Sequence, residues 1–409
     1  MRIVGLDAAR SLAILLAMSS HVYADVGLGA HIPSEMALPL RIMFQVATPV
    51  FILLFGAMLE IVYLPRFTSE SKISISSRLV FRALQCWLLY AVSIFTLFIF
   101  DDGYSLAFSI SCLLFMGNSP YTEILKFYAV ALAVAPLLLW IRVRIGLVPL
   151  ILVAATYQAA WPILHSLPDA RHDLGMPLQV ARFLKFVTGF GSPQLAGPSV
   201  LHGLTLVIAG QAFGNAVLGR RYKPMDRQGL ALDSSNFGRR IFMLLISTIG
   251  LASMGAFIIP HEVFVGLANM SLRMNSHVLY FVIGAVSAVL VSLAFIWIID
   301  VRKMVSSRFW FMLSFFGRTS MFTFAWGNIM LYMVNYYPAG KGDTYTLAFL
   351  LVAAICLMSF VFDFVMRHSE ITRTAIAAMN KPLDDLARLL LSMASGRRYG
   401  SGSSTTKGF

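Results

Sequence analysis

An all-α membrane protein, a polytopic bundle of about ten transmembrane helices with both termini in the cytoplasm, is what this sequence predicts. Three observations carry the expectation. Of 409 residues, 58% are hydrophobic and only 12% charged, whereas a soluble domain is about a quarter charged. Mean hydropathy is +0.77. Apolar runs of roughly the 20 residues needed to cross a bilayer recur along the chain.

The runs fall at 8–26, 39–63, 79–100, 124–141, 146–164, 199–217, 241–260, 276–299, 309–335 and 345–366. A shorter piece at 105–117 is expected to be re-entrant or interfacial. Basic residues in the connections set orientation. With the N-terminus inside, 24 of the 32 Lys and Arg fall on the inner side, in 64–78, at Arg82, in 141–146, 219–240, 300–308, the tail after 366 and near the inner end of the first helix. Arg318 lies within a span, and Arg41, Lys126, Arg171, Arg182, Lys185, Arg273 and Lys341 fall outside. The outer connection 165–198 is long enough to suggest a functional or interfacial lid. Residues 1–368 are expected to form the transmembrane domain. Residues 369–409 are expected to add a cytoplasmic amphipathic helix at 380–394 and a disordered tail. A multi-pass protein of the bacterial inner membrane fits this pattern.

Net charge is +13, but neither zinc-finger spacing nor an RRM-like aromatic box accompanies it, so topology rather than nucleic acid accounts for the charge. Cys86, Cys112 and Cys356 are far apart with no CxxC, which signals neither a disulfide framework nor a zinc site. Walker A, HExxH and GxSxG motifs are absent, so ATP-driven transport and metal hydrolysis have no support. No permanently bound cofactor is expected.

The chemistry concentrates in the first helix, GLDAARSLAILLAMSSHV (5–22). Arg10 and His21 are eleven residues apart, which returns to within about 20° on a helix and separates them by about 16 Å. Asp7 precedes Arg10 by one turn, in reach of pairing with it. Ionisable residues inside a span are functional by default. Two plainer readings compete: Arg10 and His21 snorkel to opposite surfaces, or the segment is a cleaved signal peptide, against which Asp7 and Arg10 interrupt the apolar run. In the second run, Gln45, Thr48 and Pro49 mark either a cavity-facing break or a packing kink. In the third, Arg78 and Arg82 sit one turn apart, able to grip phosphate groups or to anchor at lipid headgroups. The sixth supplies His202, an acceptor-side candidate or a packing histidine. The ninth carries Arg318, Ser320, Trp326 and Asn328, too many polar groups for a helix facing lipid on all sides.

The stretch LDAARSLAILLAMSSHV resembles the first helix of the integral-membrane acyltransferase-3 family and its relatives, which include glucan succinyltransferases. Their first helix reads like LDxLRGLAxxxVxxxH. ATPVFILLFGAML resembles the family's second helix and FFGRTSMFTFAWGNIMLY its late motif. There are departures: Ala8 and Ser11 replace the usual small glycines, Phe55 precedes Gly56 in place of serine, and Gly327 occupies the late histidine position. The resemblance implies transfer of an acetyl, succinyl or similar group from cytoplasmic acyl-CoA to a hydroxyl of an envelope carbohydrate or glycolipid. His21 and Arg10 would be catalytic, and Arg78, Arg82 and Asp7 would hold the donor. Gln45, His202, Arg318, Ser320, Trp326 and Asn328 would meet substrate. The alternative is a transporter or flippase for a lipid-linked glycan or small solute. A catalytically silent assembly partner is a third reading, kept open by Gly327.

Overall fold

The computed structural model describes residues 3–67, 72–191, 197–219, 236–304, 306, 309–310, 314–336 and 344–394. Most of the basic 219–240 connection and the tail beyond 394 lie outside the described residues. No strand occurs among those described, and the chain is an all-α polytopic membrane protein.

The helices are α1 (Val4–Asp25), α2 (Ser34–Gln45), α3 (Ala47–Met58), α4 (Leu64–Phe67), α5 (Lys72–Phe100), α6 (Leu106–Leu113), α7 (Glu123–Ile145), α8 (Leu147–Ala159), α9 (Trp161–His165) and α10 (Leu178–Thr188). They continue as α11 (Val200–Leu218), α12 (Phe237–Ile258), α13 (His261–Ala268), α14 (Ser271–Met274), α15 (Val278–Phe295), α16 (Phe315–Arg318), α17 (Ser320–Tyr336), α18 (Thr344–His368) and α19 (Glu370–Ala394). Each of the ten apolar runs contains helix among the described residues, and seven helices among those residues are long and apolar enough to cross a membrane. The other three runs fall short for identifiable reasons. α1 is 22 residues long but diluted by its charges. The fifth run divides into α8 and α9 at Ala160. The ninth breaks at Thr319, between α16 and α17. The interfacial piece becomes the eight-residue α6, whose N-cap Ser105 accepts a hydrogen bond from Phe108 N at 3.2 Å. The tail helix begins at Glu370, ten residues earlier than the sequence pattern suggested, and packs along α5.

α1 runs through the middle of the bundle, against α3, α15, α16, α17 and α18. Its first turn has no local cap. Asp300 instead accepts from Val4 N at 3.0 Å and Gly5 N at 2.8 Å, satisfying amides that a helix start leaves open. A Cβ on Gly5 would lie 2.6 Å from the Ile296 backbone, so only glycine permits this approach.

α3 and α11 cross still more closely. A Cβ on Gly56 would sit 1.9 Å from Val207 O, and one on Gly210 2.0 Å from Leu53 O. Small residues let membrane helices touch along their backbones. Gly56→Val is therefore expected to lower stability by about 1–3 kcal/mol through overpacking, seen as a fall in unfolding temperature in detergent; an unchanged transition would show that the helices are free to separate. Beside this crossing, in the π-helical turn Leu59–Tyr63, the Glu60 carboxylate takes both prongs of Arg142, from Nε at 3.1 Å and Nη2 at 2.8 Å.

The long 165–198 connection contains the amphipathic α10, which Gly189 ends in a left-handed conformation at φ +71°. Asp169 anchors it by an ion pair to Lys185 and accepts from Arg171 N and His172 N. The Lys185 contact, reinforced by those amides, holds the Asp169 carboxyl down at about 2.

Candidate functional site

The polar stripe of α1 faces two cavities rather than one continuous crevice. Asp7 and Arg10 line a cavity of about 850 Å³. Ala17, Ser20, His21 and Ala24 line a second of about 200 Å³. Spacings of three, four and seven residues put all six side chains on one helical face. Phe51, Ile124 and Phe324 border both cavities and form an apolar collar between them.

In the larger cavity, Arg10 makes no hydrogen bond or ion pair with any described residue. Asp7, which the sequence places one turn away, is not joined to it. Tyr128 lines the same cavity, and its hydroxyl donates to Phe51 O at 2.7 Å. Arg82 also lines the cavity and is tied through Gln85 (3.1 Å) to Asn380 of α19 (3.0 Å). Arg78, one turn earlier, is exposed and lies outside both cavities. Of the arginine pair, only Arg82 reaches the site.

Arg318 lines this cavity too, but as a bound charge. Its Nε and Nη2 meet the Asp363 carboxylate at 3.0 and 2.8 Å, and Arg367 pairs with the same acid. The four-residue α16 that carries Arg318 is pinned to α1, because Gly317 N donates to Ser11 Oγ at 2.9 Å and Ser11 donates to Asp7 O at 3.0 Å. Serine at this departure from the family pattern is thus a clasp between the two helices. Ser320, together with Phe55, Phe81, Phe322 and Phe362, gives the cavity an apolar wall with a few polar points. α19 closes one side with Ile376, Met379, Asn380 and Leu383.

In the smaller cavity, His21 packs on Tyr121 with ring centroids 4.8 Å apart. Tyr121 has φ +61°, a strained left-handed conformation for a bulky residue. Its hydroxyl donates to Asp25 at 3.1 Å. Burial, followed by the Asp25 charge, raises the Tyr121 phenol above its ordinary range, so it stays protonated as that donor. His21 Nδ1 is enclosed without a hydrogen-bond partner, and the Asn328 side chain lies beside the ring. Glu123 and Arg273 complete the charged lining. Glu123 pairs with Lys126 at 3.5 Å, whose Nζ also donates to Gly117 O at 2.9 Å. Lys126, expected in an outer connection, is fully buried.

Several sequence candidates sit elsewhere. His202 borders neither cavity: it is fully buried, 2.8 Å from Ser199 Oγ through Nδ1, with the Tyr157 ring 4.7 Å away and the Phe281 ring 5.6 Å away. It is a packing histidine, not an acceptor contact. Gln45 is buried beside the smaller cavity's helix without lining either space. Trp326 stacks on Phe322 and faces neither cavity. Asn328 is fully buried, lines neither cavity and donates to Tyr121 O at 3.4 Å, which ties it to the loop carrying Tyr121. Gly327 has its own explanation: a Cβ there would meet Met18 Sδ at 2.5 Å, so a thioether fills the space a histidine would need.

Residues 2–107 match the family model described as OpgC protein, which supports a membrane acyltransferase-like family. No curated protein matches the chain. The matched region runs from α1 into α6 and so contains Arg10, His21, the α3 side of the collar and Arg82, while the remaining walls of both cavities come from later helices. The OpgC family suggests acyl transfer, of the succinyl kind, to glucans.

Proposed function

We propose that the protein transfers an acetyl, succinyl or similar acyl group from cytoplasmic acyl-CoA to a hydroxyl of an envelope carbohydrate or glycolipid, in the manner of the acyltransferase-3 superfamily that its motifs resemble. The observation that carries this reading is the pair of cavities on one face of α1, with unpaired Arg10 in the larger and His21 in the smaller. A volume of 850 Å³ lies in the range of small-molecule sites. Its aromatic wall suits an aliphatic thioester arm, and Arg10 and Arg82 suit the donor's phosphates. The basic connections support a reading in which the larger cavity opens to the cytoplasm and both termini lie on the same side, of a bacterial inner membrane in this proposal.

Transfer would occur at the collar. The acceptor oxygen attacks the thioester carbonyl, the C–S bond breaks, and the departing thiolate takes up a proton. His21 removes the hydroxyl proton as general base or carries the acyl group between donor and acceptor. The test incubates purified protein with acetyl-CoA or succinyl-CoA and a glucan acceptor, reading free thiol and acylated product together. Two vestibules back to back also suit a carrier, and glycan uptake into vesicles with no thiol release would replace the enzyme reading. Arg10→Ala is expected to lower kcat/KM for the donor by roughly 10- to 100-fold, the worth of a charged hydrogen-bonding contact. Unaltered donor kinetics would remove Arg10 from the donor site.

A further inference from the structure

The smaller cavity is lined by four ionisable side chains, His21, Tyr121, Glu123 and Arg273. Glu123 pairs with Lys126 at 3.5 Å and also feels the charge of Arg273 across the cavity. Arg273 has no side-chain hydrogen bond or ion pair with any described residue, and its Nε is enclosed without a partner. Leaving a guanidinium nitrogen unpaired away from water is costly. The position is nonetheless rigidly built. α14, only four residues long, lies between Met270 at φ +66° and Ser276 at φ +48°, two left-handed non-glycine residues. Ser276 Oγ accepts from Ser199 N at 3.4 Å, and Asn275 O accepts from Trp161 Nε1 at 3.1 Å. Strain of this kind persists where the surroundings over-determine it, and it gathers at ligand clamps.

A guanidinium that makes no hydrogen bond, sharing a 200 Å³ cavity with the histidine, has donors open to a small anion at that spot, beside the already paired Glu123. Building on the acyltransferase reading above, we infer that Arg273 binds the free carboxylate of a short dicarboxylic acyl group whose carbonyl is presented to His21. Arg273 is then the residue that distinguishes a succinyl-type group from an uncharged acyl group of equal length. It lies on the far side of the collar from Arg10, so the two arginines would hold opposite ends of an acyl donor that spans the constriction.

The test compares succinyl-CoA with butyryl-CoA, which shares the four-carbon chain but lacks the carboxylate, in wild type and Arg273→Met. The ratio of succinyl to butyryl transfer is expected to fall by roughly 30-fold in the variant, as for loss of one charged hydrogen-bonded contact. Arg273→Lys should fall between. An equal loss with both donors, or a ratio unchanged within about twofold, would overturn the inference. A second readout needs no turnover: diethyl pyrocarbonate modification of His21, followed by peptide mass spectrometry. Saturating succinate should slow modification of wild type about fivefold or more. Butyrate should not, and Arg273→Met should lose the effect. Protection by succinate without acyl transfer from any thioester upholds the carboxylate site and rejects the acyltransferase reading. Protection by an anionic glycan but not by succinate moves Arg273 to the acceptor and overturns the inference.

Discussion

His21→Ala is expected to cut acyl transfer by roughly a thousandfold or more, the scale of a lost general base or nucleophile, while leaving a folded, inserted protein. The two halves of this expectation come from different observations. His21 faces a cavity, makes one ring contact to Tyr121 at 4.8 Å and leaves Nδ1 unpaired. Few packing or hydrogen-bonding interactions are therefore lost on truncation. Met18, one turn earlier, is 1% exposed and packs in the apolar core, so Met18→Ala supplies the contrasting case of lost stability without lost chemistry. Transfer is read as acylated glucan per mole of detergent-purified protein, with expression and helical content measured alongside. Activity of His21→Ala within about tenfold of wild type would exclude His21 from proton transfer and acyl carriage alike.

Much of this arrangement is legible in α1, because a helix fixes which side chains share a face and the sequence alone gives that spacing. Arg10 and His21 lie along one wall, as their eleven-residue separation predicts. What the spacing cannot convey is the collar. Phe51 and Phe324 read as ordinary span residues, and only the packing of α3 and α17 beside α1 brings them together between two cavities. Charge partners were hidden for a related reason. Arg318 stands out as a cation in a span, while its acid, Asp363, lies 45 residues away on α18. A lone acid within the apolar run 345–366 was the available signal. His202 shows the opposite case. Its position near a helix end suggested substrate contact, but Ser199, three residues earlier, provides a local partner and buries it. In the sequence Arg273 counts only as outer basic charge, since a topology count treats every loop arginine alike. The two left-handed residues that flank the short helix carrying it leave no mark in composition.

The largest expected effect on stability is at Glu60 and Arg142. Both side chains are 1% exposed, and they meet through two hydrogen bonds at 3.1 and 2.8 Å. Removing one partner leaves the other charge buried without its counter-ion, which costs about 3–5 kcal/mol in protein interiors. A bilayer offers no water to relieve it. Glu60→Gln and Arg142→Met should each lower stability by about that much, read as a fall in unfolding temperature in detergent. The double variant Glu60→Leu with Arg142→Met should recover most of the loss, since neither charge then remains. Recovery is expected to be incomplete, because Asn215 Nδ2 also donates to Glu60 at 3.2 Å and would be left unpaired at a cost of about 1–3 kcal/mol. Adding Asn215→Leu should restore part of the remainder. A double variant no more stable than the worse single one would mean that the charges act separately and not as a pair. The pair also bears on the site. Glu60 sits in the π-turn between Met58 and Tyr63, and both of these line the Arg10 cavity. Loss of the pair should therefore weaken donor use along with stability, whereas the restored double variant should regain both together.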